Sequence, residues 1–325
     1  MKAIVQDGYG PADVLRLGDI PKPVPGDGEV LLSVRAAGVD PGVWHLMTGL
    51  PYLVRVMGFG LRAPKVRVRG RDVAGVVAAV GANVTGFRPG DEVFGTCEGS
   101  FAEYACARAD RIAPKPANLG FVEAAAVPVS GGTALQAVRD CGRVRPGHRV
   151  LVIGAGGGVG SFAVQLAAAF GGEVTGVCGP DKAELVRSLG AVDVIDYTRE
   201  DLAERRHRYD VILDTAGNRP LARLRRALAP RGALVIVGGE GGDRWIGGFD
   251  RALRAGLLSP FTRQRLRGLV AKENSADLTT LRELAESGAF APVVGRTYAL
   301  AEAPDAIREL HKGHTRGKLV VTVGS

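Results

Sequence analysis

The sequence predicts an α/β protein in which one chain builds an antiparallel, barrel-like β part and a doubly wound parallel sheet. Two observations predict it. Up to about residue 120, short alternating strands are separated by turns, with little strong helix signal; from Arg149 onward, apolar strands alternate with helical stretches. The length, 325 residues, suits two domains.

The elements follow in order. Residues 29–36 (EVLLSVRA) alternate apolar and polar positions, the period of a half-buried strand. Residues 73–80 (VAGVVAAV) form a more continuous apolar strand, and in residues 88–95 a Pro-Gly-Asp turn feeds a short one. Residues 122–126 and 132–140 look helical. Then come a strand at 149–153, a helix at 159–170, a strand at 174–177, a helix at 182–189, and strands at 192–195, 211–213 and 234–237. Such alternation implies a parallel sheet covered by helices on both faces. The last stretch carries helices at 278–287 and 304–311 and a final strand at 318–323.

The sharpest local signal is VLVIGAGGGVG at residues 150–160. An apolar strand runs into Gly154, Gly157 and Gly160, and an amphipathic helix follows at once. A pyrophosphate at a helix N-terminus needs backbone N–H groups aimed at it and no Cβ in the way, and glycine meets both needs. The spacing is G-x-x-G-x-x-G rather than G-x-G-x-x-G, but the strand before it and the strand–helix units after it select dinucleotide binding over an ordinary turn. An NAD site usually carries an acid at the end of the second strand; here that end reads Cys178-Gly179-Pro180-Asp181-Lys182. Asp181 reads as an N-cap, with Glu184 completing a capping box. Lys182 then falls in the helix's first turn, where the dipole disfavours a cation and a 2′-phosphate would offset the penalty. The expected cofactor is therefore NADPH.

Composition narrows the function class. The net charge is +8, with 46% hydrophobic and 23% charged residues. Lys65, Arg67, Arg69 and Arg71 alternate like one strand face, and Arg223, Arg225 and Arg226 fall in a helix-like stretch. With no aromatic-plus-basic RNA motif and no helix-turn-helix signature, these read as solvated surface, so neither nucleic acid nor membrane is expected as a partner. Cys97, Cys106, Cys141 and Cys178 form no C-x-x-C pair, and the N-terminus lacks a long apolar leader run; both suit a reducing, cytoplasmic setting. No run of about 18 apolar residues suggests a span.

Several motifs together resemble the zinc-independent quinone oxidoreductase branch of the medium-chain dehydrogenase/reductase superfamily, over nearly the whole chain. They are Ala36-Ala37-Gly38-Val39-Asp40-Pro41, Gly70-Arg71-Asp72-Val73-Ala74-Gly75, Pro89-Gly90-Asp91-Glu92-Val93, Val127-Pro128 with Thr133-Ala134, the glycine turn, Asp214-Thr215-Ala216-Gly217, and Arg316-Gly317-Lys318. The resemblance implies a GroES-like catalytic domain in residues 1–121, a Rossmann domain in 122–270, and a return to the catalytic domain in 271–325. It implies that Lys182 and Tyr197 flank the 2′-phosphate and that Thr133 lies near the nicotinamide. It also places Gly154, Gly157, Gly158, Val159, Gly160, Asn218, Gly238, Gly239 and Lys318 at the cofactor. Read by themselves, Tyr197 is equally a strand-edge cap and Thr133 a helix N-terminal hydroxyl.

The zinc-dependent relatives use a Cys and a His-Glu pair where this chain has Asp40 and Arg71-Asp72, so no metal is expected. Loss of the Lewis acid favours substrates that accept hydride without one, such as quinones and conjugated enones. Asp40, Trp44, His45 and Tyr52 are expected to wall a cleft between the domains, and Tyr52, His45 or water to supply a proton. The relatives usually have Asn where Asp40 stands. Residues 46–62 and 240–267 are the variable loops expected to shape the substrate pocket. Two alternatives share these features, an enoyl-thioester reductase and a silent NADPH-binding protein. The resemblance also implies a homodimer, joined edge to edge through the Rossmann sheets near residues 269–271.

Overall fold

The structure, a computed structural model, describes residues 1–200, 208–239 and 243–324. The chain forms two compact units, Met1–Gly132 with Glu273–Ser325, and Thr133–Lys272.

The first unit opens with β1 (Lys2–Val5) paired antiparallel with β2 (Arg16–Asp19). The long β3 (Glu29–Val39) is followed by α1 (Pro41–Thr48) and a helical turn, α2 (Tyr52–Val54). Then come β4 (Asp72–Val80), β5 (Glu92–Thr96), β6 (Tyr104–Arg108), β7 (Ile112–Pro114), α3 (Phe121–Ala125) and α4 (Pro128–Leu135). The second unit holds β8 (Arg149–Ile153), α5 (Gly158–Ala169), β9 (Glu173–Cys178), α6 (Ala183–Ser188), β10 (Asp193–Asp196) and β11 (Tyr209–Asp214). It continues with α7 (Leu221–Ala227), β12 (Leu228–Ile236), α8 (Phe249–Leu258) and β13 (Arg265–Gly268). The return to the first unit brings α9 (Ser275–Glu286), β14 (Val294–Ala299), α10 (Ala303–His311) and β15 (Lys318–Thr322).

In the first unit the sheet order is β14-β15-β3-β4-β5-β7, with β6 also on β3. All its pairings are antiparallel except β14 with β15. The stretch read as a half-buried strand is buried at Val30, Leu31 and Leu32 in succession, because β3 lies mid-sheet and α3 packs on it. Its core includes Leu32, Val34, Val73, Val93, Phe101 and Val321. The second unit is a parallel sheet of order β10-β9-β8-β11-β12-β13, a doubly wound Rossmann-like arrangement whose strand order reverses beside β8.

The structure corrects several expectations. Residues 122–132 belong to the first unit because α3 packs on β3, β4 and β15. The α1 helix was not expected, although its sequence carries the signals: an Asp40 cap, Pro41 in the first turn and Gly49 in the left-handed conformation that closes it. Lys65, Arg67, Arg69 and Arg71 do not share a strand face. Only Val68 makes a bridge there, Arg69 is buried, and Arg67 and Arg71 pair with Asp7 and Glu273. Asp181 does not cap α6: it lies inside a short turn (Pro180–Lys182) that Gly179 precedes, and Lys182 is the cap residue of α6. Residues 269–271 lie just past β13, the edge strand of the parallel sheet.

One buried ion pair ties the first unit together. Lys318 on β15 donates to Asp72 on β4 at 3.0 Å, and both side chains are almost wholly enclosed. The strand between them is β3, and a Cβ on Gly38 would lie 2.6 Å from the Asp72 carboxylate. Glycine at position 38 is what lets the pair reach across. The other Asp72 oxygen accepts the Val129 amide at 2.7 Å, which fixes the first turn of α4. Burial pushes the Asp72 carboxyl up to about 6 against the pull of the Lys318 ammonium.

Asp72→Asn leaves a buried ammonium without its counter-ion and should cost about 3–5 kcal/mol of stability in urea denaturation. Adding Lys318→Met should restore most of that loss. A double variant no more stable than the single one would contradict this account of the pair.

Candidate functional site

The C-terminal ends of the parallel strands form one crest in the second unit. At the end of β8, Gly154 turns with φ +81°, and a Cβ there would lie 2.7 Å from Thr215 Oγ1. A Cβ on Gly160 would fall 2.0 Å from the Gly154 carbonyl oxygen, so only glycine lets α5 start this close to the strand. Gly157 is the extended residue before α5, and Gly158 and Val159 begin it. The Ser161 amide bonds back to Gly157, so the amides of Gly158, Val159 and Gly160 precede the first intrahelical bond. Gly157, Gly158 and Val159 are all partly open to solvent.

The next strand end joins this loop. A Cβ on Gly156 would lie 2.8 Å from the Lys182 side chain, so the lysine stem runs directly over the glycine turn. Gly179, after β9, lies within van der Waals reach of the Tyr197 ring, and the Tyr197 amide bonds the Cys178 carbonyl. Lys182 and Tyr197 therefore flank the same strand end, and Tyr197 is 53% exposed. β9 itself ends on Cys178 without an acid. Asp196 of the neighbouring strand is held by the Thr198 amide and hydroxyl, which keep its carboxyl below the usual range.

The third part of the crest follows β11 and β12. Buried Asp214 accepts the Gly217 amide at 3.1 Å and pairs with Arg251 at 2.6 Å. Thr215 bonds the Ile153 carbonyl, and Gly217 lies against Gly238 and Gly239, where a Cβ would come within 2.6 Å of backbone. Asn218 is exposed beside this contact. Thr133, half-buried in α4, begins the second unit. Sequence reasoning missed Asp214 and Arg251 as the pair that shapes the turn.

The other expected residues belong to the first unit. Asp40 caps α1 by accepting the Gly42 amide at 2.7 Å; its second oxygen is buried and has no hydrogen-bond partner among the described residues. The Arg71 guanidinium lies beside Gly42, attracted by Asp40, and pairs with Glu273. Glu273 also accepts Thr96 Oγ1 at 3.0 Å and pairs with Arg111 at 3.3 Å, so this carboxylate anchors the chain where it re-enters the unit. His45 Nδ1 lies 2.8 Å from the Leu50 carbonyl. It must donate there, which leaves Nε2 of the neutral ring without a proton to give. Trp44 stacks on His311 at 3.7 Å, so its ring is engaged within the unit. Tyr52 is half-buried under the Arg55 guanidinium, which also covers Tyr9. Lys318, expected at the cofactor, is instead engaged with Asp72. Sequence reasoning also missed Tyr9, Arg55 and Glu273. Of the variable loops, residues 240–242 lie outside the described residues.

Comparison with known proteins agrees with this architecture. Residues 26–117 match the alcohol dehydrogenase GroES-like domain family, and residues 189–321 match the zinc-binding dehydrogenase family. The mitochondrial NAD(P)H oxidoreductase RTN4IP1 of Mus musculus is 33% identical over 99% of this chain and 89% of its own length. The 2-methylene-furan-3-one reductase of Solanum lycopersicum is 33% identical over 99% of this chain and 79% of its own. Among solved structures, the quinone oxidoreductase of Coxiella burnetii superimposes with a TM-score of 0.88 at 31% identity, covering 100% of this chain and 99% of that one. The Escherichia coli quinone oxidoreductase, complexed with NADPH, gives 0.84 at 25% identity, covering 99% of this chain and 100% of that one. The glycine crest, the GroES-like sheet and these full-length relatives together show that the chain belongs to the medium-chain dehydrogenase/reductase superfamily, among its quinone oxidoreductase-like members.

Proposed function

We propose that this protein uses NADPH to reduce a quinone or an α,β-unsaturated carbonyl compound, and does so without zinc. The observation that carries the reading is the crest at the end of β9, where Lys182 lies over Gly156, Tyr197 lies beside Gly179, and the strand ends without a carboxylate. The residues fit the coenzyme. Side chains are sterically barred at Gly154 and Gly160, and the opening amides of α5 suit a pyrophosphate. Lys182 supplies a cation and Tyr197 a hydroxyl for a 2′-phosphate. The relatives named for NAD(P)H and complexed with NADPH support the same cofactor. When bound, the coenzyme supplies a hydride.

The chain's own residues then have separable duties. Gly154, Gly157, Gly158, Val159 and Gly160 orient the diphosphate through backbone. Gly217, Gly238 and Gly239 keep the neighbouring loops low enough to leave room beside it. Thr133 and Asn218 remain candidates for contact with its reactive half. Tyr52 is the better proton donor of the two side chains considered. Its hydroxyl is a donor group, whereas the His45 Nδ1–H is committed to the Leu50 carbonyl. Asp40 leaves one buried carboxylate oxygen without a partner among the described residues, an acceptor but not a donor.

The donor chemistry at the two positions where zinc-dependent relatives bind metal supports a metal-free reaction. Arg71 is a fixed cation paired with Glu273, and Asp40 supplies a carboxylate in place of a thiolate. The furanone reductase among the relatives supports a conjugated enone as one acceptor, and the quinone oxidoreductases support a quinone as the other.

Lys182→Ala should raise the KM for NADPH about tenfold or more while leaving that for NADH nearly unchanged, because a charge-assisted bond is worth about 1.5–3 kcal/mol. Equal effects on both coenzymes would remove Lys182 from the 2′-phosphate. Metal analysis of the purified protein should find far less than one zinc per chain. Stoichiometric zinc would overturn the metal-free mechanism.

A further inference from the structure

The segment between Asp40 and Asp72 contains no acidic residue but six basic ones, Arg55, Arg62, Lys65, Arg67, Arg69 and Arg71. Within it, after α2, the chain exposes apolar side chains: Val56 is 72% exposed, Met57 58% and Leu61 70%, with Phe59 partly open. Single exposed apolar residues need no explanation, but several on one short turn flanked by cations form a pattern.

The turn is held at its base. Tyr9 Oη donates to the Gly60 carbonyl at 2.6 Å, and the Lys65 amide closes on the Phe59 carbonyl at 3.0 Å. Arg55 stacks between the Tyr9 and Tyr52 rings and donates to the Gly49 carbonyl at 2.9 Å. Gly60 has φ +116°, and a Cβ there would strike the Ala63 carbonyl. The tip is thus presented on a fixed base. Arg62 and Lys65 are exposed and form no ion pair among the described residues. The acid nearest to the base in sequence, Asp7, is already held by Arg16 and Arg67, so it does not neutralise them.

We propose that this turn docks the protein on the surface of an anionic lipid bilayer, with Val56, Met57, Phe59 and Leu61 entering the interface and Arg62 and Lys65 meeting the headgroups. Charge complementarity selects this occupant. An apolar tip rimmed by unpaired cations matches a surface that is apolar beneath and negative at its face. A neutral apolar partner would leave both cations unanswered. No helix among the described residues is long and apolar enough to cross a membrane. Sequence reading spread the basic residues over the whole surface and expected no membrane partner; the fold gathers two free cations beside the apolar tip. The purpose of such docking, drawing a lipid-dissolved quinone or enone from the bilayer, rests on the function proposed above. The docking itself does not.

Vesicle flotation tests it with the full chain. The protein should float with mixed phosphatidylcholine–phosphatidylglycerol vesicles, stay behind with pure phosphatidylcholine, and lose binding as salt rises. Neutralising Arg62 or Lys65 with Gln should weaken partitioning about fivefold each. Val56→Asp with Leu61→Asp should reduce it about tenfold or more, with an unchanged thermal midpoint showing that the fold is intact. Equal flotation with neutral vesicles, no flotation, or an undiminished Asp variant would overturn the proposal. So would self-association in sedimentation that the Asp variant abolishes, which would assign the turn to a second copy. Because the readout is vesicle binding, a chain that docks but fails to turn over NADPH would leave this inference standing and remove only the catalytic one.

Discussion

The site is organised by a steric prohibition. At Gly160 a single added carbon would sit 2.0 Å from the Gly154 carbonyl, and at Gly154 it would meet Thr215. Without those carbons, β8 turns into α5 within one tight loop, and the first amides of the helix face outward at the point where the strand order reverses. Other features of the crest are arranged on that turn. Lys182 runs over Gly156, and Gly217, Gly238 and Gly239 keep the next two loops low. A crowded backbone is what makes an open anion site.

What the sequence made legible follows from the range of the forces involved. The strand–helix alternation and the glycine turn depend on neighbours a few positions apart, so their pattern survives in one dimension. Arg149–Ile153 was read to the residue. The spacing of Lys182 and Tyr197 was legible only through family resemblance, and the structure brings both to the β9 end. Glu273 was invisible because its partners, Arg71, Thr96 and Arg111, lie far back along the chain and meet it only after folding. Lys318 was expected at the cofactor, and its counter-ion, Asp72, is equally remote in sequence. The α1 helix is a different kind of miss. Its cap, its proline and its closing glycine are all local signals, which suffice for a helix of eight residues.

In the first unit the buried and half-buried charges gather around Arg71. Arg71 puts a permanent positive charge where zinc-dependent relatives have a ligand, and four acids act on it: Asp40, Glu273, Asp72 and Glu98. Two of them are occupied structurally. Asp72 holds Lys318 and α4, and Glu273 fixes the returning chain. Asp40 keeps a buried oxygen without a partner among the described residues. The polar groups are thus divided between those that hold the fold and one buried oxygen left unpaired among the described residues.

Binding of a phosphorylated nicotinamide coenzyme by the unaltered protein is the most direct test of the proposed function. Titration with NADPH, followed by the change in nicotinamide fluorescence, should saturate at one site per chain and be reversed by 2′,5′-ADP far better than by 5′-AMP. The absence of any saturable signal, or equal competition by the two nucleotides, would contradict it.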